Sequence, residues 1–558
     1  MAVSRIDPNE PLRAGTRAHG AALTFHRLTR PVAETSTLAA PKYVRRGLMP
    51  TVQLLAQGGD SRIAIDPLRG LNKYGCATLP DPQLLGFGSS TASTISAAGF
   101  AAAEKLRRRL LRADRSAPRA VTYGREMHRL RRELIGLCGL ADLPGLELIF
   151  AASGTDLHLL AAQLVRAARP ATLRAVMIDP AETGSGVAAA LAGRHFSNRG
   201  ALGDSLVEGM PIGGSDAIEI TTLPIRAPDG TPRPSAIIDD EAEATIAAAV
   251  TAGRQVLLTL CDVSKTGMIA PSPDVALRLL RRWQGRIEVL VDACQFRLSP
   301  ATLRAYLEAG CLVAVTGSKF LTGPTFAGAL LVPEAVADQF RKRALPEGLR
   351  AYSACDDWPQ GWRAAGTLAE VPNFGLLLRW EAAMEELRAF RAIPEPAIVV
   401  FLKAFARAVQ GRLATDPRFA ALPVPRLDRG PVAAAAGWDR LPTIFPFLLH
   451  HADGRPFSRT ETEQTYRQLD SDAGGRLGLA PNGADGKLAA RRCQFGQPVA
   501  CGSRDGIPVS ALRLCASARL VKAAFAAPDS GAAVIGDAMT ALDKVALLVR
   551  AGVVADPA

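Results

Sequence analysis

Short apolar runs alternate with segments of helical periodicity from about residue 120 to residue 335. GLELIFAA precedes one helical pattern, and ATLRAVMI, QVLLTLC and IEVLV each precede another. Short continuous apolar runs are typical of strands that are buried on both faces of a sheet. Their regular alternation with helices predicts βαβ units, and therefore an α/β domain built on a mainly parallel sheet.

The pattern differs on both sides of this region. Residues 1–40 show no sustained periodicity and predict an N-terminal arm. Residues 41–118 are predicted to contribute to the small domain and the substrate pocket, and 119–345 to form the large domain. Helical patterns dominate from 334 to 412, and strand-like and helical segments mix after that. Residues 346–558 are therefore predicted to form a smaller α+β domain.

Composition and charge restrict the possible partners. The chain has 558 residues, 48% of them hydrophobic, and a formal charge of +13 that comes mainly from scattered arginines. The densest basic cluster, KLRRRLLRADR, has helical spacing and indicates a solvated helix face. We find no interleaving of basic and aromatic residues and no zinc-finger spacing, so the sequence does not predict nucleic-acid binding. An excess of basic over acidic residues would favour the attraction of anionic substrates.

Cysteine usage and hydropathy bear on the compartment. The nine cysteines occur singly and never as C-x-x-C, which favours reduced thiols and predicts no metal site. No apolar run reaches the length of a membrane span, and the first residues lack the apolar core of a secretion signal. We therefore expect a soluble cytoplasmic protein that makes no membrane contact.

A polar turn follows the first apolar run. Ser153-Gly154-Thr155-Asp156 lies between LELIFAA and the helical pattern LHLLAAQLV. Free N–H groups at a helix N-terminus, together with the helix dipole, favour an anion such as phosphate. The alternative interpretation is an ordinary helix cap, because Ser, Thr and Asp are all good capping residues.

Two charged residues follow later apolar runs. Asp292 directly follows the apolar run IEVLV, and Lys319 directly follows CLVAVTGS. A buried carboxylate needs a partner, so Asp292 either caps the next helix or holds a cation. A partly desolvated lysine amine is a nucleophile that can form a Schiff base, whereas the alternative for Lys319 is an ordinary surface loop.

The order of these three features resembles that of fold type I enzymes that depend on pyridoxal 5'-phosphate (PLP). The chain is most similar to the class V aminotransferase and cysteine desulfurase superfamily, over roughly residues 65–525. The resemblance implies the PLP-dependent transferase (aspartate aminotransferase-like) fold, with a mainly parallel seven-stranded sheet in the large domain and a smaller α+β domain. It also implies a PLP cofactor and an amino-acid-like substrate.

The resemblance carries roles over to particular positions. Asp292 and Gln295 match Asp-x-x-Gln, which implies that they bind the pyridine nitrogen and the ring hydroxyl. Lys319 matches the lysine that forms the Schiff base. Further cofactor-binding positions follow from the same match, namely Ser153, Gly154, Thr155, Ser264, Thr316 and Ser318. Lys265 stands next to Ser264, where the family often has a glutamate.

Two more positions concern the partner subunit and the substrate. Gly366-Thr367 is similar to a Gly-Thr whose threonine reaches the phosphate of the neighbouring subunit's cofactor, which implies a homodimer with shared active sites. Arg513 resembles an arginine that binds the substrate carboxylate through both ends of its guanidinium group. Tyr74, Ser89, Ser90 and Ser93 lie in a segment that often reaches the substrate pocket, although an ordinary turn is an equal alternative.

Departures from the family pattern leave the reaction open. Thr183 stands where the family has a histidine that stacks on the ring. Cys493 and Cys501 lie near the position of the desulfurase cysteine, but neither has the expected spacing from Arg513. We therefore expect an aminotransferase or a lyase. The alternatives are a cysteine desulfurase or selenocysteine lyase-like activity and a PLP-fold protein without turnover. His158 is interpreted as a hydrogen-bonded core histidine.

Overall fold

The computed structural model describes residues 47–114, 116–169, 171–213, 218–433 and 437–552. The predicted N-terminal arm at 1–40 lies outside these ranges. From Leu48 onward the chain forms one compact unit. The proposed limits of the large and small domains within that unit stay predictions.

The large sheet contains eight strands, seven of which form one continuous path. The path runs β2-β9-β8-β7-β5-β3-β4, and the short β6 pairs with β5. Its neighbours are parallel except at β9, which is antiparallel to both β2 and β8. The strands are β2 (Glu147–Ala151), β3 (Leu173–Ile178), β4 (Ile218–Leu223), β5 (Gln255–Asp262), β6 (Ile269–Ala270), β7 (Ile287–Ala293), β8 (Leu312–Thr316) and β9 (Gly328–Val332). The predicted mainly parallel seven-stranded sheet is confirmed.

Helices follow most of these strands, as the alternating pattern predicts. Several begin at a serine whose side-chain oxygen accepts a backbone N–H three residues on, as at Ser272 and Ser299. The helices are α1 (Thr51–Leu55), α2 (Ala97–Ala113), α3 (Arg119–Leu137), α4 (Gly154–Ala168), α5 (Val187–Leu191), α6 (Ser235–Thr251), α7 (Pro273–Arg282), α8 (Pro300–Glu308), α9 (Glu334–Phe340), α10 (Phe374–Arg391), α11 (Glu395–Thr415), α12 (Arg459–Gln468), α13 (Ala484–Ala490), α14 (Ala518–Ala526) and α15 (Ala532–Ala551).

A second, five-stranded sheet forms from the two ends of the described chain. Its order is β1-β12-β13-β11-β10. Its strands are β1 (Leu85–Phe87), β10 (Phe419–Ala421), β11 (Ile444–Leu449), β12 (Cys493–Arg504) and β13 (Ile507–Cys515). The parallel pairing of β1 with β12 joins residues 85–87 to this sheet. The assignment of residues 41–118 to a small domain stays a prediction.

The sequence pattern and the structure differ at two places in this sheet. Taken from the sequence alone, SALRLCASARLVK predicts one strand, but β13 ends at Cys515 and α14 begins at Ala518. Ser517 causes the change, because its Oγ accepts the Leu520 N–H at 3.3 Å and caps the helix. The segment RRCQFGQPVACG was not predicted as a strand, although β12 begins in it at Cys493. Gly496 and Pro498 obscure the pattern there, and the pairing with β13 shifts register between Gly496 and Val499.

Glu288 is a buried carboxyl on β7, and its burial predicts how the free energy of unfolding depends on pH. Burial raises its pKa to about 7, against the weaker effect of Arg169. The unfolded chain releases this proton near pH 4.5, so stability falls as pH rises from about 4.5 to 7. We expect Glu288→Gln to raise the free energy of unfolding at pH 8 by about 1–3 kcal/mol, with little change at pH 4. Denaturant unfolding at both pH values measures this, with the exposed Glu208→Gln as control. An equal gain at both pH values would contradict it.

Candidate active site

A cavity of about 240 Å3 lies beyond the carboxyl ends of β2, β7 and β8. Its volume is slightly below the roughly 300–1,000 Å3 of typical ligand pockets. The cavity brings together seven of the predicted cofactor-binding and catalytic residues and the predicted substrate-binding arginine, namely Ser153, Gly154, Thr155, Asp292, Thr316, Ser318, Lys319 and Arg513. Tyr74 and Ser90, from the segment expected to reach a substrate pocket, also line it.

The N-terminus of α4 forms one end of the cavity. Ser153 caps this helix by accepting the Asp156 N–H at 3.3 Å, and its hydroxyl also contacts the Asp156 carboxylate. Thr155 Oγ1 accepts a hydrogen bond from Arg62 Nη1 at 3.3 Å. Arg62 is buried and pairs with Asp60 at 2.6 Å. The turn is therefore both a helix cap and a lining of the cavity, with a buried cation beside it.

Arg62 was not identified from the sequence. It lies in DSRIAID, which has no motif that singles it out. Its guanidinium packs over the Phe326 ring, 4.9 Å from the centroid, and Phe326 lines the cavity. Arg62 and Thr155 are 93 positions apart in the chain. Only the tertiary fold brings them together.

Asp292 lies next to a buried histidine. His158 Nε2 is 3.3 Å from Asp292 Oδ2, and His158 Nδ1 is 2.7 Å from the Gly154 carbonyl oxygen. Burial opposes ionisation of Asp292, but the His158 charge outweighs it and holds the pKa of Asp292 well below its usual range. The same attraction raises the pKa of His158 against the effect of burial. Both shifts favour a carboxylate on Asp292 and a protonated imidazole on His158.

The predicted core position of His158 is borne out, but its contact with Asp292 was missed. Nε2 has no directed hydrogen bond to any described group, so its contact with Asp292 is an ion pair of imperfect geometry. The sequence does contain a signal for the position of His158 beside Gly154, because the two residues lie four positions apart in α4. That spacing places both residues on one helix face.

A tight turn after β8 presents Lys319 to the cavity. The Gly317 N–H donates to the Ala327 carbonyl at 2.8 Å, and the Thr322 N–H donates to the Lys319 carbonyl at 2.8 Å. Thr316 Oγ1 donates to the Cys294 carbonyl at 2.6 Å, which joins the ends of β7 and β8. The Lys319 charge also helps to lower the pKa of Asp292. The predicted carboxylate and amine therefore line one cavity and interact electrostatically.

Arg513 lies in the cavity wall and is occupied by other protein groups. Nε donates to the Gln497 carbonyl at 3.1 Å, Nη1 to the Lys265 carbonyl at 3.1 Å, and Nη2 to Thr91 Oγ1 at 2.8 Å. Nη2 also contacts the Gln497 carbonyl. Binding of a carboxylate through both ends of Arg513 would require release of at least one of these bonds. Its predicted role in substrate binding stays a prediction.

Four other predicted site residues do not line the cavity. Gln295 Nε2 donates to the Ser90 carbonyl at 3.0 Å, and Ser264 Oγ donates to Glu182 Oε2 at 2.8 Å. Thr183 is buried next to the cavity residues Gly184 and Ser185. Thr367 belongs to a short helical turn and donates to the Ala364 carbonyl at 2.9 Å. The predicted roles of these four residues are not tested by the single chain.

The cysteines have structural positions. Cys493 and Cys501 are buried on β12, and neither lines the cavity. Cys294 does line it, and burial raises the pKa of its thiol well above the usual value. Gln497, Pro498 and Val499 line the cavity in the segment where the family resemblance predicts the cysteine of a desulfurase. A reactive thiolate is therefore not evident among the lining residues.

Gly154 is required by close packing at the start of α4. A Cβ at this position would lie 2.8 Å from Cys294 Sγ, and 3.5 Å from Thr316 Cγ2. We expect Gly154→Ala to lower the free energy of unfolding by about 1–3 kcal/mol, because the helix start must shift. Combining it with Cys294→Ala removes the blocking sulfur and should restore most of the loss. Thermal unfolding of the single and double variants measures this, and equal losses in both would contradict it.

The described residues contain no group of three or more His, Cys, Asp or Glu side chains arranged to hold a metal ion. Among the described helices, none has both the length and the apolar character of a membrane span.

Comparisons with known proteins give distant likenesses. No protein-family model matches the chain, and no curated protein matches it. Among solved structures, the cysteine desulfurase CsdA from Escherichia coli has a TM-score of 0.48 at 16% identity, covering 83% of this chain and 95% of its own. A NifS-like protein has a TM-score of 0.48 at 12% identity, covering 82% and 99%. A C-DES mutant with glycine covalently linked to its PLP cofactor has a TM-score of 0.48 at 12% identity, covering 83% and 99%. The fold described above rests on the strand order and connectivity of this chain itself.

Proposed function

We propose that this protein is a PLP-dependent enzyme that acts at Cα or Cβ of an amino acid or related amine through a Schiff base on Lys319. One observation carries the proposal. A single cavity is lined by a carboxyl group in contact with a buried histidine, a lysine after a strand end, and the N-terminal turn of a helix. Each of the three matches one functional group of PLP.

The residues fit that cofactor chemically. Asp292 can accept a hydrogen bond from the N–H of a pyridinium ring, because the neighbouring His158 favours the ionised form of this carboxyl despite its burial. The N–H groups at the start of α4, with Ser153, Thr155 and Ser318 nearby, can bind a phosphate. Lys319 provides the primary amine that a Schiff base needs. When bound, PLP supplies a ring that accepts electrons from the substrate carbon.

The protein's own groups have distinct tasks in this proposal. Asp292 holds a proton at the ring nitrogen. Lys319 would hold the cofactor through its amine, and the same amine would serve as the local base for proton transfer. His158 acts through Asp292 by keeping that carboxylate charged. These tasks are shared by transaminases and lyases, so the fold does not choose between them. The desulfurase alternative would need a nucleophilic thiolate, and burial raises the pKa of the Cys294 thiol well above its usual value, which disfavours that form.

We also propose a homodimer in which Thr367 reaches the neighbouring cofactor phosphate, and a cytoplasmic location. Thr367 is partly exposed, as a residue that contacts a partner must be in the isolated chain. All nine cysteines are free, which fits a reducing compartment. Light scattering of the purified protein tests the dimer, and a monomer at micromolar concentration would contradict it.

An absorbance titration with PLP tests the proposed function. We expect a visible band from the Schiff base, and a change of that band when amino acids are added. A panel of amino acids and keto acids, followed by product analysis, then separates transamination from elimination and from desulfuration of cysteine. Binding of PLP with a band that no amino acid changes would support the variant without turnover. Absence of any band would contradict the proposal.

A further inference from the structure

Two lysines besides Lys319 line the same cavity, Lys73 and Lys265, and Lys265 follows a strand of the large sheet. Lys265 follows Ser264 in the loop after β5, and the residue lines the cavity together with Lys319 and Arg513. The proposed chemistry uses Lys319 and leaves Lys265 without a task. Its position in the cavity therefore needs an explanation.

Lys265 is held in place at three points. Its backbone N–H donates to the Glu182 carbonyl at 2.9 Å, and its carbonyl accepts a hydrogen bond from Arg513 Nη1 at 3.1 Å. Its Nζ donates to the Ala181 carbonyl at 3.0 Å. This bond uses one of the three ammonium hydrogens, so two remain for a ligand. The amine is thus positioned by protein groups and still able to bind.

Arg513 has fewer donors left for a ligand. Its hydrogen bonds to Gln497, Lys265 and Thr91 number four and involve all three nitrogens. A guanidinium group has five N–H donors, so one remains. A substrate carboxylate that met Arg513 alone would have to break a bond to a backbone carbonyl. Lys265 offers two donors without that cost.

The charges of the cavity favour an anion near Lys265. The carboxylate among the described lining residues is Asp292, and it already faces His158. Burial lowers the pKa of Lys265 to about 7, and the nearby charges of Arg513 and Lys319 lower it further in the same direction. An anion placed beside this amine would be stabilised by all three cations. A bound carboxylate would thus offset the free-energy cost of burying the Lys265 amine and of the repulsion among the three cations.

We propose that Lys265 is the residue that binds the substrate carboxylate, with the remaining Arg513 donor beside it, so that the site accepts amino acids in preference to amines without a carboxylate. The inference rests on the proposed function, because it assigns the substrate class of that same site. Lys265 contacts the substrate in this proposal and determines specificity.

Paired ligands test the proposal in the holoprotein. Dissociation constants are measured from the cofactor band for alanine, serine and cysteine, each against its decarboxylated amine (ethylamine, ethanolamine and cysteamine). We expect Lys265→Met to weaken amino-acid binding roughly 10- to 100-fold and to leave amine binding within about 2-fold. Lys265→Arg should retain most of the affinity. Lys403→Met, an exposed lysine on α11 outside the cavity, is the control. Equal weakening of amines and amino acids, or no weakening of either, would overturn the proposal.

A second measurement does not depend on the cofactor. Trace acetylation with acetic anhydride near pH 7.5, read by peptide mass spectrometry, reports the accessibility of each lysine with and without added PLP. We expect propionate, the amine-free analogue of alanine, to protect Lys265 several-fold and to leave Lys403 unchanged, whereas propionamide should protect neither. A missing cofactor band with Lys265 still protected would defeat the proposed function but retain the anion site. A normal band without protection would defeat the anion site alone.

Discussion

Asp292→Asn is expected to reduce turnover by about 10²–10³-fold, the scale seen when one preorganised electrostatic group is removed from an active site. The amide is nearly the same size as the carboxylate but carries no charge, so it cannot hold a proton at the ring nitrogen. The change also removes the anion that faces His158 at 3.3 Å. Steady-state rates of the holoprotein measure the first effect.

The second effect of Asp292→Asn is independent of turnover. Without the carboxylate, burial and the Lys319 charge lower the pKa of His158, and only its hydrogen bond to the Gly154 carbonyl still raises it, so the pKa should fall. Titration of the His158 ring followed by NMR measures this shift. Glu288→Gln, on the same strand, removes another buried carboxyl and is the matched control. An unchanged His158 pKa in Asp292→Asn would show that the two residues are not coupled as the structure indicates.

Lys319→Ala is expected to abolish the visible band formed with PLP and to lower turnover by about 10³-fold or more. The variant loses both the amine that forms the Schiff base and the local base, and general base catalysis alone typically contributes about 10²–10⁴-fold. Lys319 follows β8 in a turn that backbone hydrogen bonds define, so the truncation should leave the fold intact. Absorbance spectra and single-turnover rates measure the two losses.

Lys265→Ala is the matched control for Lys319→Ala, since both amines line the same cavity. If Lys319 alone forms the bond, Lys265→Ala retains the band while its amino-acid affinity falls. If Lys265→Ala loses the band and Lys319→Ala keeps it, the roles assigned to the two lysines are reversed.

The fold and the centre of the site could be predicted because their signals are local. Continuous apolar runs identified β5, β7 and β8, since strands covered on both faces need apolar side chains throughout. The carboxyl ends of parallel strands meet at one edge of a sheet, so the residues at the end of β7 and just after β8 could be expected to meet. Asp292 and Lys319 do line one cavity.

Other features depend on contacts that no local pattern contains. Arg62 reaches Thr155, and Arg513 reaches Thr91, across 93 and 422 positions of the chain. The involvement of Arg513 with backbone carbonyls could not be predicted, because any residue type can supply a carbonyl. Gln295 matched a motif, yet its amide donates to the Ser90 carbonyl. A motif indicates which residue is present, whereas its hydrogen-bond partner is determined by how distant segments pack.

Reduction of the PLP-treated protein with borohydride, followed by peptide mass spectrometry, tests the central claim most directly. The reagent converts a Schiff base into a stable amine bond, so the modified lysine keeps the mass of the cofactor. We predict a single modified site at Lys319, present in wild type and absent in Lys319→Ala. No modified peptide, or modification at Lys265 or Lys73 in place of Lys319, would contradict the account.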